Sequence, residues 1–251
     1  MTTTQVIPGA EPYFISGNSA GILIIHGFNG TPQSMEYLGK KFSNQGFTVY
    51  SLRLKGHGTH EEEMESCSYQ DWIENVAAGY SRLKQTCSNI YVIGQSMGGA
   101  LALDLAGEVD CDGVIAINAA LQVPDYEPYR NFTAPRFIPD EKPDINDGDA
   151  FEITYPQVPI KAINELLSLM DRVKKALHKV YCPVLLFHSP EDHVVPEHCS
   201  YEIYHLVSSK EKHMVSLNHS YHVASLDYDK DKIAEAVLSF LKDRGEDILV
   251  S

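Results

Sequence analysis

The run Gly94-Gln95-Ser96-Met97-Gly98-Gly99 sets a serine between glycines two positions to either side. A serine hydroxyl is a poor nucleophile at its free pKa and needs a base, with a third group to orient that base. Eleven histidines are available, and His222 stands out. It lies in the polar stretch Asn218-His219-Ser220-Tyr221-His222, which follows an apolar run and precedes a helical pattern. His219 shares that stretch and is the second candidate. Asp192, in Ser189-Pro190-Glu191-Asp192-His193-Val194-Val195-Pro196, completes the chain order serine, acid, histidine, with Glu191 as its adjacent alternative. The chemistry these residues would perform together is acyl transfer through a serine.

Such chemistry also needs two N–H donors for a developing oxyanion. The amide after the serine, Met97, is one candidate. The other is Phe28 in His26-Gly27-Phe28-Asn29-Gly30, where Gly27 allows a tight turn. His26 is expected to organise that loop by a hydrogen bond rather than to act as a base. Metal and cofactor chemistry find no support. His60-Glu61-Glu62-Glu63-Met64 has methionine where a zinc motif needs its second histidine, and His188, His193 and His198 are interrupted by Pro190 and Pro196. There is no C-x-x-C, no G-x-G-x-x-G and no Walker-type loop. No cofactor is expected.

These residues must be held by regular elements. Residues 20–25, 47–52, 89–94, 113–118, 184–188 and 213–217 are short apolar runs that read as buried strands. Helical spacing recurs at 33–45, 69–87, 97–109, 160–177, 197–207 and 230–242, with Trp72, Val76, Tyr80 and Leu83 forming one apolar face. Continuous apolar strands separated by helices of this length predict α/β architecture with a mostly parallel sheet covered on both faces. Ser96 then falls at a strand–turn–helix junction, the setting a nucleophile elbow demands. The acidic run 61–65 reads as a solvated loop.

Residues 120–179 break the rhythm. Seven of the 13 prolines fall there, ahead of the amphipathic pattern at 160–177. That argues against core sheet and for an insertion at the sheet's carboxyl edge, a cap or lid. The expected organisation is a core of 1–119 and 180–251 with the cap at 120–179.

Composition narrows the classes further. The chain has 251 residues, 20 basic and 34 acidic, for a net charge of −14. So acidic a chain repels phosphate backbones, which argues against nucleic acid. No apolar run is long enough to span a bilayer. The stretch MTTTQVIPGAEPYF has neither the basic nor the apolar region of a signal peptide. Five scattered cysteines fit a reduced protein, and a cytoplasmic location is expected.

Taken together, the sequence resembles the α/β-hydrolase family over nearly its whole length. Within that family it is similar to the small Bacillus-type carboxylesterases and monoacylglycerol lipases. The resemblance rests on His26-Gly27-Phe28-Asn29-Gly30-Thr31-Pro32, Leu54-Lys55-Gly56-His57-Gly58, the Ser96 hexapeptide, Glu191 to Pro196, and Asn218 to Asp229. It implies Ser96 as nucleophile, Asp192 as acid, His222 as base in preference to His219, and the Phe28 and Met97 amides as the oxyanion hole. It further implies a cap lining an acyl-chain tunnel, with Phe132, Phe137, Ile138, Ile163, Leu166, Leu167 and Met170 as candidates. A polar cap residue helps hold glycerol in the monoacylglycerol lipases, and Glu152 and Gln157 are the candidates here. The activity expected is cleavage of medium- or long-chain monoacylglycerols. Its rivals are a general short-chain carboxylesterase, another hydrolase of this fold such as a thioesterase or peptidase, and a non-catalytic ligand-binding protein of the same fold.

Overall fold

The computed structural model describes residues 5–140 and 142–242, so the outer ends of the two expected core segments lie outside the described residues. Strands β1 (Tyr13–Ile15), β2 (Ala20–Ile25), β3 (Thr48–Leu52), β4 (Asn89–Gln95), β5 (Gly113–Ile117), β8 (Val184–His188) and β9 (Lys212–Ser216) form one sheet in the order β1-β3-β2-β4-β5-β8-β9. All neighbours are parallel except the edge pair β1 and β3. Helices α1 (Glu36–Ser43) and α7 (Lys230–Lys242) cover one face, and α3 (Tyr69–Leu83), α4 (Met97–Ala106), α5 (Ile160–Ala176) and α6 (His198–Leu206) the other. Within β2, Leu23 and Ile25 enter one apolar core while Ile22 and Ile24 enter the opposite one. Burial on both faces explains why the strand is apolar without alternation.

Register does the positioning. Ile25 pairs with Gly94, Gln95 with Ile117, Ile117 with Phe187, and His188 with Ser216. The segments following β2, β4, β5, β8 and β9 therefore leave the sheet side by side at its carboxyl edge, where open α/β sheets bind ligands.

Three local expectations change. The acidic run is no solvated loop but helix α2 (Glu61–Ser66). Three of its four glutamates, Glu61, Glu62 and Glu63, occupy the first turn, where the helix dipole favours them. Nδ1 of His60 caps it by accepting the Glu62 N–H at 3.2 Å, and Met64 anchors it against Tyr155 and Ala162. The helix expected from residue 33 opens instead as a 3₁₀ turn, Pro32–Met35, before α1 begins. Strand β1 was not expected, since three residues beside Pro12 and Gly17 carry no readable period.

Residues 120–179 lie outside the large sheet. They carry a two-stranded antiparallel pair, β6 (Phe137–Pro139) with β7 (Gln157–Pro159), followed by α5. The apolar side of α5, including Ile163, Leu167 and Met170, is buried in the same core as α3 and α4. Arg172 of α5 also reaches the buried Asp104 of α4, at 2.9 Å.

Candidate active site

At Ser96 the chain turns from β4 into α4 with φ 57° and ψ −121°, a region L-residues rarely adopt. The turn is so tight that a Cβ on Gly94 would fall 2.0 Å from the Gly98 carbonyl oxygen, and one on Gly98 would fall 2.3 Å from that of Ile25. Any side chain at either position would collide with backbone, which accounts for the glycine spacing read from the sequence. The Ser96 N–H donates to the Ile117 carbonyl at 2.9 Å, and the Ala120 N–H donates to the Ser96 carbonyl at 3.1 Å. Strain at the serine is thus held by β5 and the chain leaving it.

Ser96, His222 and Asp192, far apart in sequence, meet in one line. Ser96 Oγ lies 2.8 Å from His222 Nε2, and His222 Nδ1 lies 2.8 Å from Asp192 Oδ2. A carboxylate only accepts, so Nδ1 carries the proton and Nε2 is left to accept from the serine hydroxyl. Asp192 is fixed through Oδ1, which accepts the N–H groups of Val194 at 2.8 Å and Val195 at 2.7 Å. Burial works against the charged imidazole, but Asp192, with Asp144 and Glu152 behind it, outweighs burial and holds the His222 pKa above 6.5. The neighbouring candidates His219 and Glu191 are both exposed.

Next to the serine, the Gly27 turn packs closely enough that a Cβ there would sit 3.3 Å from Ser96 Cβ. Phe28, which follows this turn, lines the cavity over Ser96, and the Met97 amide lies in the first turn of α4, where the helix supplies no acceptor. His26 organises this loop as expected. Its Nε2 accepts the Leu54 N–H at 3.1 Å, and its Nδ1 lies 2.9 Å from the Gly27 carbonyl. Burial keeps its pKa well below 6.5.

A cavity of about 350 Å³ opens over Ser96 and His222. Of the residues proposed for an acyl tunnel, only Ile138 and Leu166 line it. Ile163, Leu167 and Met170 pack into the core, Phe132 is exposed, and Phe137 lies under the Arg136 guanidinium at 4.7 Å. Ile163, Leu167 and Met170 share the side of α5 that packs against α3 and α4, so the core takes up most of the helix's apolar face. Of the two polar candidates, Gln157 points away and donates to Glu61 at 2.7 Å. Glu152 lines the cavity, against Gly30, where a Cβ would fall 2.6 Å from its Oε1. Burial pushes the Glu152 carboxyl up to about 7, against the opposing pull of the Ser34 hydroxyl and His222.

Sequence reasoning missed several supporting residues. Asn118, directly after β5, donates through Nδ2 to the His222 carbonyl at 2.9 Å and to Ser189 Oγ at 3.0 Å, and its Oδ1 accepts the Ser189 N–H at 2.8 Å. Gln95 Oε1 accepts the Ser225 N–H at 3.0 Å. Asp227, fully buried, accepts the N–H groups of Asn146, Asp147 and Tyr221 at 2.7, 3.0 and 2.9 Å. Position at the end of a strand was a usable signal for Asn118 and for Gln95; for Asp227 none exists in the chain order.

A doubly covered parallel sheet with a strained serine elbow at its carboxyl edge, backed by histidine and aspartate, defines an α/β-hydrolase. The family described as serine aminopeptidase, S33, matches residues 16–144 and 149–229, and the chain belongs to this family of serine hydrolases. It is 42% identical over 238 residues to the thermostable monoacylglycerol lipase of Bacillus sp. (strain H-257), covering 94% of this chain and 95% of that one. It is 25% identical over 241 residues to a carboxylesterase of Bacillus subtilis (strain 168), covering 92% and 96%. Among solved structures, one of the metagenome-derived lipolytic enzymes LipS and LipT superposes with a TM-score of 0.93 at 40% identity, covering 95% of this chain and all of that one. The monoacylglycerol lipase of Paleococcus ferrophilus, at 17% identity, shares the fold with a TM-score of 0.79 over 93% of this chain and 98% of its own.

Proposed function

We propose that this protein cleaves medium- or long-chain monoacylglycerols to fatty acid and glycerol through an acyl-enzyme. The observation that carries this reading is the unbroken line Ser96–His222–Asp192 opening into a cavity that also holds Glu152. The 42% identity to a monoacylglycerol lipase supports the substrate class. His222 Nε2 takes the Ser96 proton as Oγ attacks the ester carbonyl, and Asp192 stabilises the imidazolium. The Phe28 and Met97 amides receive the oxyanion, where loss of one donor costs about 2.7–4 kcal/mol in comparable sites. His222 then returns its proton to the departing glycerol oxygen. Water, deprotonated by the same nitrogen, attacks the acyl-Ser96 ester, and His222 returns that proton to Ser96 Oγ as the fatty acid leaves. Residues 120–179 act as a cap over the serine, with Ile138 and Leu166 facing the acyl chain and Glu152 accepting from a glycerol hydroxyl. The five cysteines are free thiols, which fits a reducing compartment, and we place the protein in the cytoplasm. Among the described residues no helix is long and apolar enough to cross a membrane.

Hydrolysis of 1-lauroylglycerol and of p-nitrophenyl butyrate, with Ser96→Ala as the blank, tests the reading. The glyceride is expected to be preferred in kcat/KM and the blank to be inactive. Preference for butyrate would make the protein a short-chain carboxylesterase. Activity surviving in Ser96→Ala would remove the serine mechanism. Failure of the folded protein to react with a fluorophosphonate would favour a ligand-binding protein.

A further inference from the structure

Asp144 stands outside the Ser96–His222–Asp192 line, in the stretch between β6 and β7, yet its carboxylate joins the two loops that carry the histidine and the acid. Its Oδ2 accepts the N–H of His222 at 3.1 Å and that of His193, the residue directly after Asp192, also at 3.1 Å. Its Oδ1 lies 2.8 Å from His193 Nδ1, and its carbonyl accepts the Val223 N–H at 3.0 Å. The side chain is only 16% exposed. The neighbouring amides of Asn146 and Asp147 run onto Asp227, beyond the histidine loop, and Asn146 Nδ2 donates to the His219 carbonyl at 3.1 Å. Residues 144–147 are thereby zipped along residues 219–227.

Asn118 ties the same two loops from the sheet, through the carbonyl of His222 and through Ser189. Asp144 ties them from the other side, through the amides of His222 and His193. The histidine is therefore gripped at both its N–H and its C=O, by residues from different parts of the chain. Displacing a reacting group by about 1 Å can cost on the order of 100-fold in rate, so a grip of this kind has kinetic consequences.

We propose that Asp144 is a positioning residue for acyl transfer, setting the separation of the His222 and Asp192 loops and so keeping the imidazole in line between Ser96 and Asp192. The proposal rests on the esterase reading given above. A neutral acceptor could bridge the amides equally well, so the charge of Asp144 supplies a second, separable effect. The groups facing the His222 ring are Asp192, Asp144 and Glu152, all acidic, with Ser96 neutral; the group facing Asp144 itself is the His193 imidazole.

Asp144→Ala and Asp144→Asn, measured beside the wild type, provide the test. Two readouts are needed: kcat and KM as functions of pH, and NMR titration of the His222 ring, assigned by loss of its signal in His222→Ala. Asp144→Ala is expected to lower kcat at least tenfold while KM changes less than threefold. Asp144→Asn keeps an oxygen for the two amides, so it recovers most of kcat. Without the negative charge its acid limb and its His222 titration both move to lower pH. Wild-type kcat in both variants would overturn the proposal, as would a lowered kcat with the His222 titration unmoved, since that describes a purely structural role. Should Asp144→Ala fail to fold, by loss of near-ultraviolet circular dichroism, Asp144→Asn decides alone through the titration. The NMR readout needs no turnover. If the wild type hydrolyses no ester, the esterase reading falls, while a His222 titration lowered in Asp144→Asn still supports the contact and an unmoved one overturns it.

Discussion

Ser96 occupies a backbone region that costs on the order of 1–3 kcal/mol, and the molecule holds it there through the hydrogen bonds its amide and carbonyl make with Ile117 and Ala120. The turn aims the hydroxyl at His222, the base of the proposed mechanism, whose charge state then sets the rate. His222 accepts the serine proton only when neutral, and the surrounding carboxylates hold its pKa above 6.5. Activity on any ester is therefore expected to rise with pH along a limb centred above 6.5, and a limb centred below that value would contradict the electrostatics. Glu152 adds a substrate-dependent effect. Its carboxyl titrates near 7, so it is a charged acceptor above that pH and a neutral acid below it. The ratio of kcat/KM for 1-lauroylglycerol to that for p-nitrophenyl butyrate should fall as the pH drops through about 7. Glu152→Leu should lower that ratio by roughly ten- to 100-fold at pH 8, the worth of a hydrogen bond to a charged group, about 1.5–3 kcal/mol. An unchanged ratio would assign glycerol recognition elsewhere.

The strands were legible because burial on both faces forces continuous apolar runs, and the serine elbow because its sterics demand glycine at 94 and 98. What escaped reading depends on partners remote in the chain. Helix α2 looks like a charged loop until Met64 is seen to pack on Tyr155 and Ala162, and β1 exists only by pairing with β3. Asp144 and Asp227 carry no local signature, since their meaning lies in amides some 80 residues away. The same remoteness marks the joint between α4 and α5. Asp104 is buried and faces Arg172, itself partly exposed. Arg172→Met is expected to destabilise the protein by about 1–3 kcal/mol in urea unfolding, because the carboxylate is left buried without its cation. Asp104→Leu combined with Arg172→Met should restore most of that loss; an additive loss would mean the pair contributes nothing as a pair.

At the scale of the whole molecule, 34 acidic against 20 basic residues give a net charge of −14, which governs encounters before any pocket is reached. With 1-lauroylglycerol carried in phosphatidylglycerol vesicles, the initial rate is expected to rise at least twofold as the Debye length shrinks from about 30 Å at 0.01 M salt to about 8 Å at 0.15 M. In phosphatidylcholine vesicles it should stay nearly flat. Equal salt responses on the two surfaces would show that the acidic charge lies away from the docking side.

β5 leaves the sheet at its carboxyl edge, whereas its parallel neighbour β8 must be entered from the amino edge, and α5 is what carries the chain back. Divergence in this lineage therefore meets two regimes within one stretch of sequence. The residues between β5 and Ile160 belong to no strand of the large sheet, so changes there leave its order intact; the helix after them cannot be lost, because without it the sheet order cannot be threaded. Even in the permissive part the freedom has a condition. A transplanted segment with no acceptor oxygen where Asp144 stands would keep the serine and the histidine but lose the bridge between the His222 and His193 amides, so new specificity is reached most readily by changes that spare residues 144–147.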